Sequence, residues 1–472
     1  MKPLQKLVSV WLLLGHSMPV GAEGLMQLWE HVVENNPVLK GSEYSVEQVR
    51  AQQDQVLAKL LPQAAIKGYY SFNSYNRNEN GSTGFNLAGG TNQQYGGYNG
   101  SFTISQTLFD LPSYLRLQGA QKATEQQEQS ALAQRMDIAY KLVDEYLHVL
   151  EAEDVIEQID AELTYAHTQI ERLQHMHESQ LAKVTDLYEM EAYGQSLETS
   201  KIEAEHGRSI ALEKVREIAG VTLTSPDVLL QNEFPEVHRS ADEWVQEAMS
   251  SNPLLLSLQH ASESAQNIIQ SAHAEHLPTA SVSASETVAN TVYNNISTSA
   301  IYGFTGYNIG SMYLNVNIPI YAGGGVEAGV RESVQKYQVT REKIEEARRA
   351  IEKDTRTSWF NAHSGHHKIE STRKEMSFRE KAKMAQATSY QIGASTIVDV
   401  LDSHRKLLKA RADYHKARYD FIRSLIRLRL NSGSLADLDL EAVSAWFGPL
   451  TTSNAPTKSS IHLPNASRFG SE

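Results

Sequence analysis

Apolar residues at Leu132, Met136, Ala139, Val143, Tyr146 and Leu150, then at Val155, Ile159, Leu163, Ala166, Ile170 and Leu173, alternate spacings of mostly four and three. That is a coiled-coil seam. No proline interrupts the chain between Pro112 and Pro226, and a helix from Ser113 to about His177 would extend roughly 100 Å at ~1.5 Å per residue. The return helix, from about Val184 to Ala219, is only about half as long. A segment that can complete it opens at Asn36-Pro37, with Asn36 as N-cap and Pro37 at the first helical position, and runs to Leu61 before Pro62 stops it. Stacked end to end, the two short helices match the long one. Pro253 to Glu275 offers the same solution to a second long run, Tyr321 to Thr388.

Period two replaces period 3.6 in two places. Between Gly68 and Phe109 only Arg77 and Glu79 are charged, and Phe102, Ile104 and Leu108 alternate with Thr103, Ser105 and Thr107. A Gly- and Asn-rich stretch from Asn76 to Gly100 reads as the loop of a hairpin. In the second copy, Thr279 to Val326, Glu286 is the only charge; Met312, Leu314, Val316, Ile318 and Ile320 alternate with Ser311, Tyr313, Asn315 and Asn317. A loop centred on 293–310 joins its two strands. Strands of about ten residues, apolar on one face and polar on the other with aromatic ends, are the signature of an outer-membrane barrel; a soluble sandwich edge is the alternative. Four strands cannot close a barrel, since the smallest have about eight, so several chains must share one.

The two helices of the second hairpin meet at Tyr390 to Asp402, YQIGASTIVDVLD. Its glycine, small residues and β-branched Thr396, Ile397 and Val398 predict a tight turn between antiparallel helices. Asp399 and Asp402 share a face near the new N-terminus, where the helix dipole favours negative charge. Ordinary first-turn acidity explains the pair equally well, but Asp186 follows a similar break 213 residues earlier. The whole chain repeats at this interval: Asn36-Pro37 returns as Asn252-Pro253, Leu61-Pro62 as Leu277-Pro278, Phe109 as Tyr321 and Gly220 as Gly433, at offsets of 212 to 216. Such a period indicates a duplicated half-protein. The expected organisation is a first repeat over 23–236, with strands at about 63–109 and a helical hairpin over 112–220. A second repeat follows over 237–448, with strands at about 279–321 and a hairpin over 322–432.

Composition narrows the partners. The net charge is −13, which argues against nucleic acid and anionic membrane surfaces. There is no cysteine, hence no disulfide, thiol catalysis or cysteine metal site. Residues 1–22 carry Lys2 and Lys6, an apolar run from Leu7 to Leu14 and a Val20-Gly21-Ala22 ending, and read as a cleaved secretory signal. Residues 449–472 lack periodicity and read as a disordered tail. No later run of 18 apolar residues exists, so a membrane crossing must be a closed barrel.

Two other classes remain to be weighed. For an enzyme, His363, His366 and His367 with Glu370 are the candidate metal ligands, but their neighbours are those of a solvated helix face. There is no P-loop and no G-x-S-x-G. The reading is therefore not an enzyme, with no cofactor and no metal. A periplasmic coiled-coil adaptor or tether would also be exported, acidic and rod-like; the strand pairs and the duplication argue against it.

The sequence resembles the TolC family of outer-membrane channel proteins over about residues 24–448. The residues that carry the likeness are the paired Asn-Pro helix starts, TLFD and IPIYAGG closing the strand pairs, TIVDVLD at the turn, KARYDFIRSLIRL and SGSLADLDL. YQIGASTIVDVLD is similar to the branch serving type I protein secretion. The resemblance implies a mainly α fold with a β-barrel contribution: a homotrimer in the Gram-negative outer membrane, four strands per chain in one shared twelve-stranded barrel, and long antiparallel helices forming a periplasmic tunnel. It implies partners as well, namely outer-membrane lipid, a periplasmic adaptor and an inner-membrane transporter, ABC or proton-driven. Small-molecule efflux is the alternative cargo class.

At the tips, the resemblance places Asp399 and Asp402 in acidic rings at a constriction, and Asp186, Thr185 and Tyr390 among the polar contacts of a closed state. Gln180, Leu181, Gly393 and Ala394 become the adaptor-facing tips. Two departures stand out: Ser395 replaces an arginine common in the family, and Gln180 stands where Gly393 has a glycine. Three copies of the acidic pair around a narrow axis should raise one another's carboxyl pKa values and favour cations.

Overall fold

A computed structural model describes residues 24–76, 92–224, 226–231, 233–293, 306–435 and 437–448. The signal at 1–22, the tail at 449–472 and the central parts of both strand-connecting loops lie outside the described residues. The elements are α1 (Leu25–Asn35), α2 (Pro37–Ala58), β1 (Gln63–Asn76), β2 (Asn92–Phe109), α3 (Leu111–Glu178), α4 (Val184–Ala219) and β3 (Val228–Leu229), then α5 (Ala241–Ser251), α6 (Pro253–Ala274), β4 (Thr279–Tyr293), β5 (Tyr307–Asn317), α7 (Gly325–Gln391), α8 (Ile397–Ser432), α9 (Asp437–Ser444) and β6 (Phe447–Gly448). The duplication is visible in the lengths: α1 and α5 have 11 residues each, α2 and α6 have 22, α3 and α7 have 68 and 67, and α4 and α8 have 36.

The chain forms two compact units, and neither is one of the repeats. One gathers 1–43, 130–255 and 347–472; the other gathers 44–129 and 256–346. Each takes segments from both copies.

The second unit holds a four-stranded antiparallel sheet in the order β1-β2-β4-β5. Residues directly opposite one another share a face, so Ala64, Ile104, Ala284 and Met312 form one row and Gln63, Ser105, Ser283 and Tyr313 lie on the other side. Ile66, Tyr70, Phe102, Val288 and Leu314 all belong to the apolar face and are exposed. The alternation is broken once. A bulge between Thr107 and Phe109 leaves Leu108 as the extra residue and brings Phe109 opposite Ala280, so the simple phase through Leu108 does not hold to the end of β2. Ile318 and Ile320 lie beyond β5, which ends at Asn317. At the other end of the strand pairs, α2 and α6 stop three residues short of their prolines. Both close with i→i+3 bonds: Leu61 N donates to Ala58 O at 3.2 Å, and Leu277 N to Ala274 O at 2.9 Å.

The first unit contains the main core. Leu28, Trp29, Val32, Leu142, Tyr146, Leu147, Phe421 and Ile422 are buried together with Trp446 and Phe447 of the C-terminal belt. The Tyr146 ring meets Phe447 edge-on with centroids 5.8 Å apart, and its hydroxyl accepts from Asp227 N at 3.1 Å. Arg418 holds the facing strand by donating to the carbonyls of Leu229 and Gln231. Of the predicted α3 seam, Ala139, Val143, Tyr146, Leu150, Ile159, Leu163, Ala166 and Leu173 are buried, Met136, Val155 and Ile170 are half-buried and Leu132 stays exposed.

Two asparagines fix how the helices of this unit succeed one another. Asn36 Oδ1 accepts from Val38 N and Leu39 N at 2.9 and 3.2 Å, capping α2, while its amide donates to Ile218 O at 2.8 Å in the last turn of α4. Asn252 repeats the arrangement, accepting from Leu254 N and Leu255 N at 3.0 and 3.2 Å and donating to Asn431 O at 2.9 Å. One side chain thus satisfies orphan donors of one helix start and an orphan acceptor of another helix end. The pyrrolidine of Pro37 or Pro253 sits at N1, where the missing N–H has no partner to lose. Gly433 completes the second junction. Its φ is 73°, and a Cβ there would stand 2.5 Å from Ser251 O.

Asn252→Ala removes the cap and strands the Asn431 carbonyl, so it should cost about 2 kcal/mol. Asn252→Asp keeps the acceptor and loses only the donor, and should cost about half as much. Amide hydrogen exchange of the first turn of α6 and the last turn of α8 measures both.

Candidate functional site at the helical tips

Each hairpin of the first unit ends in the same turn. Leu181 N donates to Met176 O at 2.7 Å and Gln180 N to His177 O at 2.9 Å; in the second hairpin Ala394 N donates to Ser389 O at 2.8 Å and Gly393 N to Tyr390 O at 3.0 Å. These are Schellman turns, whose central residue is left-handed. Gly393 has φ 77° and Gln180 has φ 61°, so the residue that departs from the glycine pattern keeps the turn at a steric cost. Leu181, Ile392 and Val398 are exposed around the tips, with Leu181 at 74% and Ile392 at 76%. Ile392 carries the same kind of exposed apolar surface as the predicted tip residues.

The helices leaving the turns are capped differently, and the difference assigns the aspartates. Thr396 is the N-cap of α8 in a complete capping box: its Oγ1 accepts from Asp399 N at 3.3 Å, and Asp399 Oδ2 accepts from Thr396 N at 2.9 Å and Thr396 Oγ1 at 2.7 Å. In the first hairpin the equivalent N-cap is Lys183, which makes no side-chain cap bond. Asp186, the counterpart of Asp399, is therefore not drawn into a cap. It accepts from Tyr390 Oη at 3.1 Å, joining the two hairpins. Thr185 stands exposed beside it. Ser395 turns inward to its own hairpin, donating to Gln386 O at 3.5 Å.

The backbone N–H and then the hydroxyl of Thr396 hold the Asp399 carboxyl below the usual carboxylate range. The upward shift expected above comes from three copies around one axis; within the single chain a charge-stabilising cap acts on Asp399 in the opposite direction. Asp402 is paired with Lys406 one turn on, at 2.5 Å. Arg379, Gln386, Asp399, Asp402, Ser403 and Lys406 line one surface hollow, so the acidic pair is accompanied by two cations.

Sequence reasoning passed over a buried group behind these tips. Glu162 and His404 are 8% and 1% exposed and bonded to each other through His404 Nδ1. The signal was present: His404 continues the buried stripe Ile397, Val400, Leu401 of α8.

Elsewhere on α7, His363 and His366 each meet His367 edge-on. Trp359 lies on His363 with centroids 4.9 Å apart, and His366 faces Glu236 at 3.6 Å. In the second unit, Glu125, His260 and Glu263 bring three candidate ligand atoms together. Lys122 already occupies that position, 2.8 Å from Glu125 and 3.1 Å from Glu263, so the trio does not fit a metal.

Burial first, then the charge and bond of Asp186, push the Tyr390 hydroxyl up to about 12. A folded-state value above the ordinary one means that the contact contributes fully below about pH 10 and is lost as pH rises through about 12. The tyrosinate absorbance attributable to Tyr390, read as wild type minus Tyr390→Phe, should appear near that upper value and move down in Asp186→Asn. Gln180→Gly should stabilise the first tip by about 1 kcal/mol and Gly393→Ala should destabilise the second by a similar amount, both read from amide exchange of the two turns.

With the two hairpins, their tips and the four-stranded sheet in view, comparison with known proteins gives one answer. The model of the family described as "Outer membrane efflux protein" matches residues 28–221 and 244–434, once per repeat. The outer membrane protein TolC of Vibrio cholerae is 25% identical over 438 residues, covering 91% of this chain and 95% of that protein. The alkaline protease secretion protein AprF of Pseudomonas aeruginosa is 24% identical over 438 residues, covering 90% and 88%. Among solved structures, the outer membrane protein VceC of Vibrio cholerae superposes with a TM-score of 0.72 at 15% identity, over 87% of this chain and 96% of that one. The fold is that of the channel-tunnels, a helical tunnel with a β-barrel contribution. The chain belongs to the outer membrane efflux protein family of passive channels, and its place is the outer membrane of a Gram-negative cell, with a large periplasmic portion.

Proposed function

We propose that this chain is the exit duct of a tripartite export system and that its cargo is protein delivered by a type I secretion transporter. The observation that carries the duct reading is the sheet. Among the described residues β1 and β5 each pair on one side only, and the sheet bears an exposed apolar face. Open edges cannot face hydrocarbon, and four strands are too few to close. Three copies joined β5 to β1 give a closed twelve-stranded barrel with that face toward lipid.

In this homotrimer the hairpin tips form the gate. The Tyr390–Asp186 bond holds the two hairpins of one chain together in the closed state, with Thr185 beside it, and Asp399 and Asp402 line the constriction. Their pairing with Thr396 and Lys406 tempers the cation preference that six free carboxylates would give. Gln180, Leu181, Gly393 and Ala394, together with Ile392, meet the periplasmic adaptor. Docking of adaptor and transporter supplies the differential contacts that open the gate, a two-arrangement element. The likeness to AprF over nearly the whole of both chains supports protein as cargo. Small-molecule efflux is the second reading, favoured by the description of the matching family.

Mass spectrometry of the culture medium and cell surface, with and without the gene, separates the two. Loss of one or a few large proteins is expected. An unchanged profile, with new sensitivity to small toxicants, would instead make efflux the cargo class.

A further inference from the structure

Far from the tips in sequence, one stripe of α7 gathers imidazoles beside the connector between the two repeats. Arg356, Trp359, His363, His366, His367 and Glu370 recur at steps of three and four, so they lie along one side of the helix. Three of them hold the connector and the start of α5: Arg356 pairs with Asp242 at 2.8 Å, Trp359 Nε1 donates to Arg239 O at 2.8 Å, and His366 Nε2 stands 3.6 Å from Glu236 Oε1. His363 and His367 are left exposed. Spacing alone makes them a solvated face; the structure adds the tryptophan beneath and the carboxylate alongside.

Side chains on a helix lean toward its N-terminus, so each member of the stripe reaches the one a turn before it. The His363 ring accordingly lies on Trp359 with planes 5° apart, and the His367 ring comes up to His363 with centroids 5.6 Å apart. Two imidazoles on one tetrahedral ion, with metal–nitrogen bonds of ~2.05 Å, have centroids about 5 Å apart. The backbone therefore already supplies the separation. The rings meet edge-on, with planes 88° apart, and Trp359 holds His363, so a rotamer change at exposed His367 is the movement that ligation requires. We propose that His363 and His367 chelate a divalent transition ion of the zinc and copper class on this face of α7, with water completing its shell and the Glu236 carboxylate close by.

The donor atoms set the class of ion. Calcium and magnesium take oxygen ligands, whereas imidazole nitrogen suits Zn²⁺ and, more tightly, Cu²⁺. Charge favours the same occupant, because the basic side chains of these turns are drawn off to acids, Lys374 to Glu370 at 2.6 Å and Lys368 to Asp420 at 3.8 Å. The group of Glu125, His260 and Glu263 differs in this respect, since Lys122 stands where its ion would be. Two protein ligands leave positions open to water, so the ion on α7 exchanges readily. While bound, it fixes both rings against Trp359, at the place where the connector is attached to α7.

This site is independent of the cargo and the gate, and its test needs no conductance. Trp359 is a built-in reporter, because Cu²⁺ bound beside an indole quenches its fluorescence. The full chain, purified in detergent without a histidine tag, is titrated with Cu²⁺, and the emission of Trp359 is read as wild type minus Trp359→Phe. That emission should be quenched saturably; Zn²⁺ added beforehand should raise the Cu²⁺ required, and Mg²⁺ should not. His363→Gln and His367→Gln, each removing one of the two ligands, should raise the midpoint more than about tenfold, since changes to groups that only support a ligand already cost ~10- to 100-fold. Glu236→Gln should raise it less. A wild-type Trp359 that Cu²⁺ does not quench overturns the proposal, as does quenching that Mg²⁺ relieves as well as Zn²⁺ does; neither result requires a histidine variant to fold. Quenching that keeps its midpoint in both histidine variants overturns it equally.

Discussion

Helix ends are the weak points of a protein built from long helices, because each leaves four backbone donors or four acceptors without partners. Here the requirement is met where one helix starts against the end of another. Asn36 and Asn252, both buried, cap α2 and α6 with their carbonyl oxygens and bind the last turns of α4 and α8 with their amides. An aspartate could cap but has no proton to donate, and a lysine could donate but not cap; the amide offers its acceptor and its donor on two separate atoms, one for each helix end. The proline that follows and the left-handed glycines at 220 and 433 finish the junctions without adding polar groups to satisfy.

The duplication sets the frame, and small differences between the copies divide the labour. Thr396 and Lys183 occupy the same position in their repeats. The threonine engages Asp399 in a capping box, whereas the lysine leaves Asp186 to reach across to Tyr390. Gln180 and Gly393 likewise share a backbone conformation that suits only one of them. Across the boundary between the hairpins, α3 carries the acids and α8 the bases: Glu162 meets His404, Asp154 meets His415 and Tyr419, and Asp144 and Glu151 meet Arg423. The Tyr419 hydroxyl donates to Asp154 at 2.7 Å inside the core. The helices are thus held in register by polar pairs set into an apolar seam, an arrangement with discrete alternatives rather than continuous slip.

What the chain discloses by itself is what periodicity and punctuation encode. The bounds of α4, the end of α3 within one residue and the equivalence of the halves follow from spacing, proline and glycine, and so do the strand pairs, except that residues 92–100, read as Gly- and Asn-rich loop, belong to β2. A bulge leaves no such trace, since Leu108 continues the alternation that the register at Phe109 abandons. Long-range polar pairs are equally silent. Glu162 and His404 are 242 residues apart, and each alone reads as an irregularity on an apolar stripe. Asp186 and Tyr390 were legible as tip residues, but the reason one aspartate is bound locally and the other is not lies in a threonine and a lysine that pattern reading treats as interchangeable cap positions.

The sheet has a kinetic consequence. A protomer with one-sided β1 and β5 and an exposed apolar face has no stable place either in water or in lipid. Its last strand pairings are with other molecules, so closing the ring is a concentration-dependent step rather than the end of a unimolecular collapse. Until it closes, the same edges that join neighbours are templates for uncontrolled strand addition. Nascent chains that meet away from the membrane therefore risk pairing at the wrong edge, and those that meet within it close the ring.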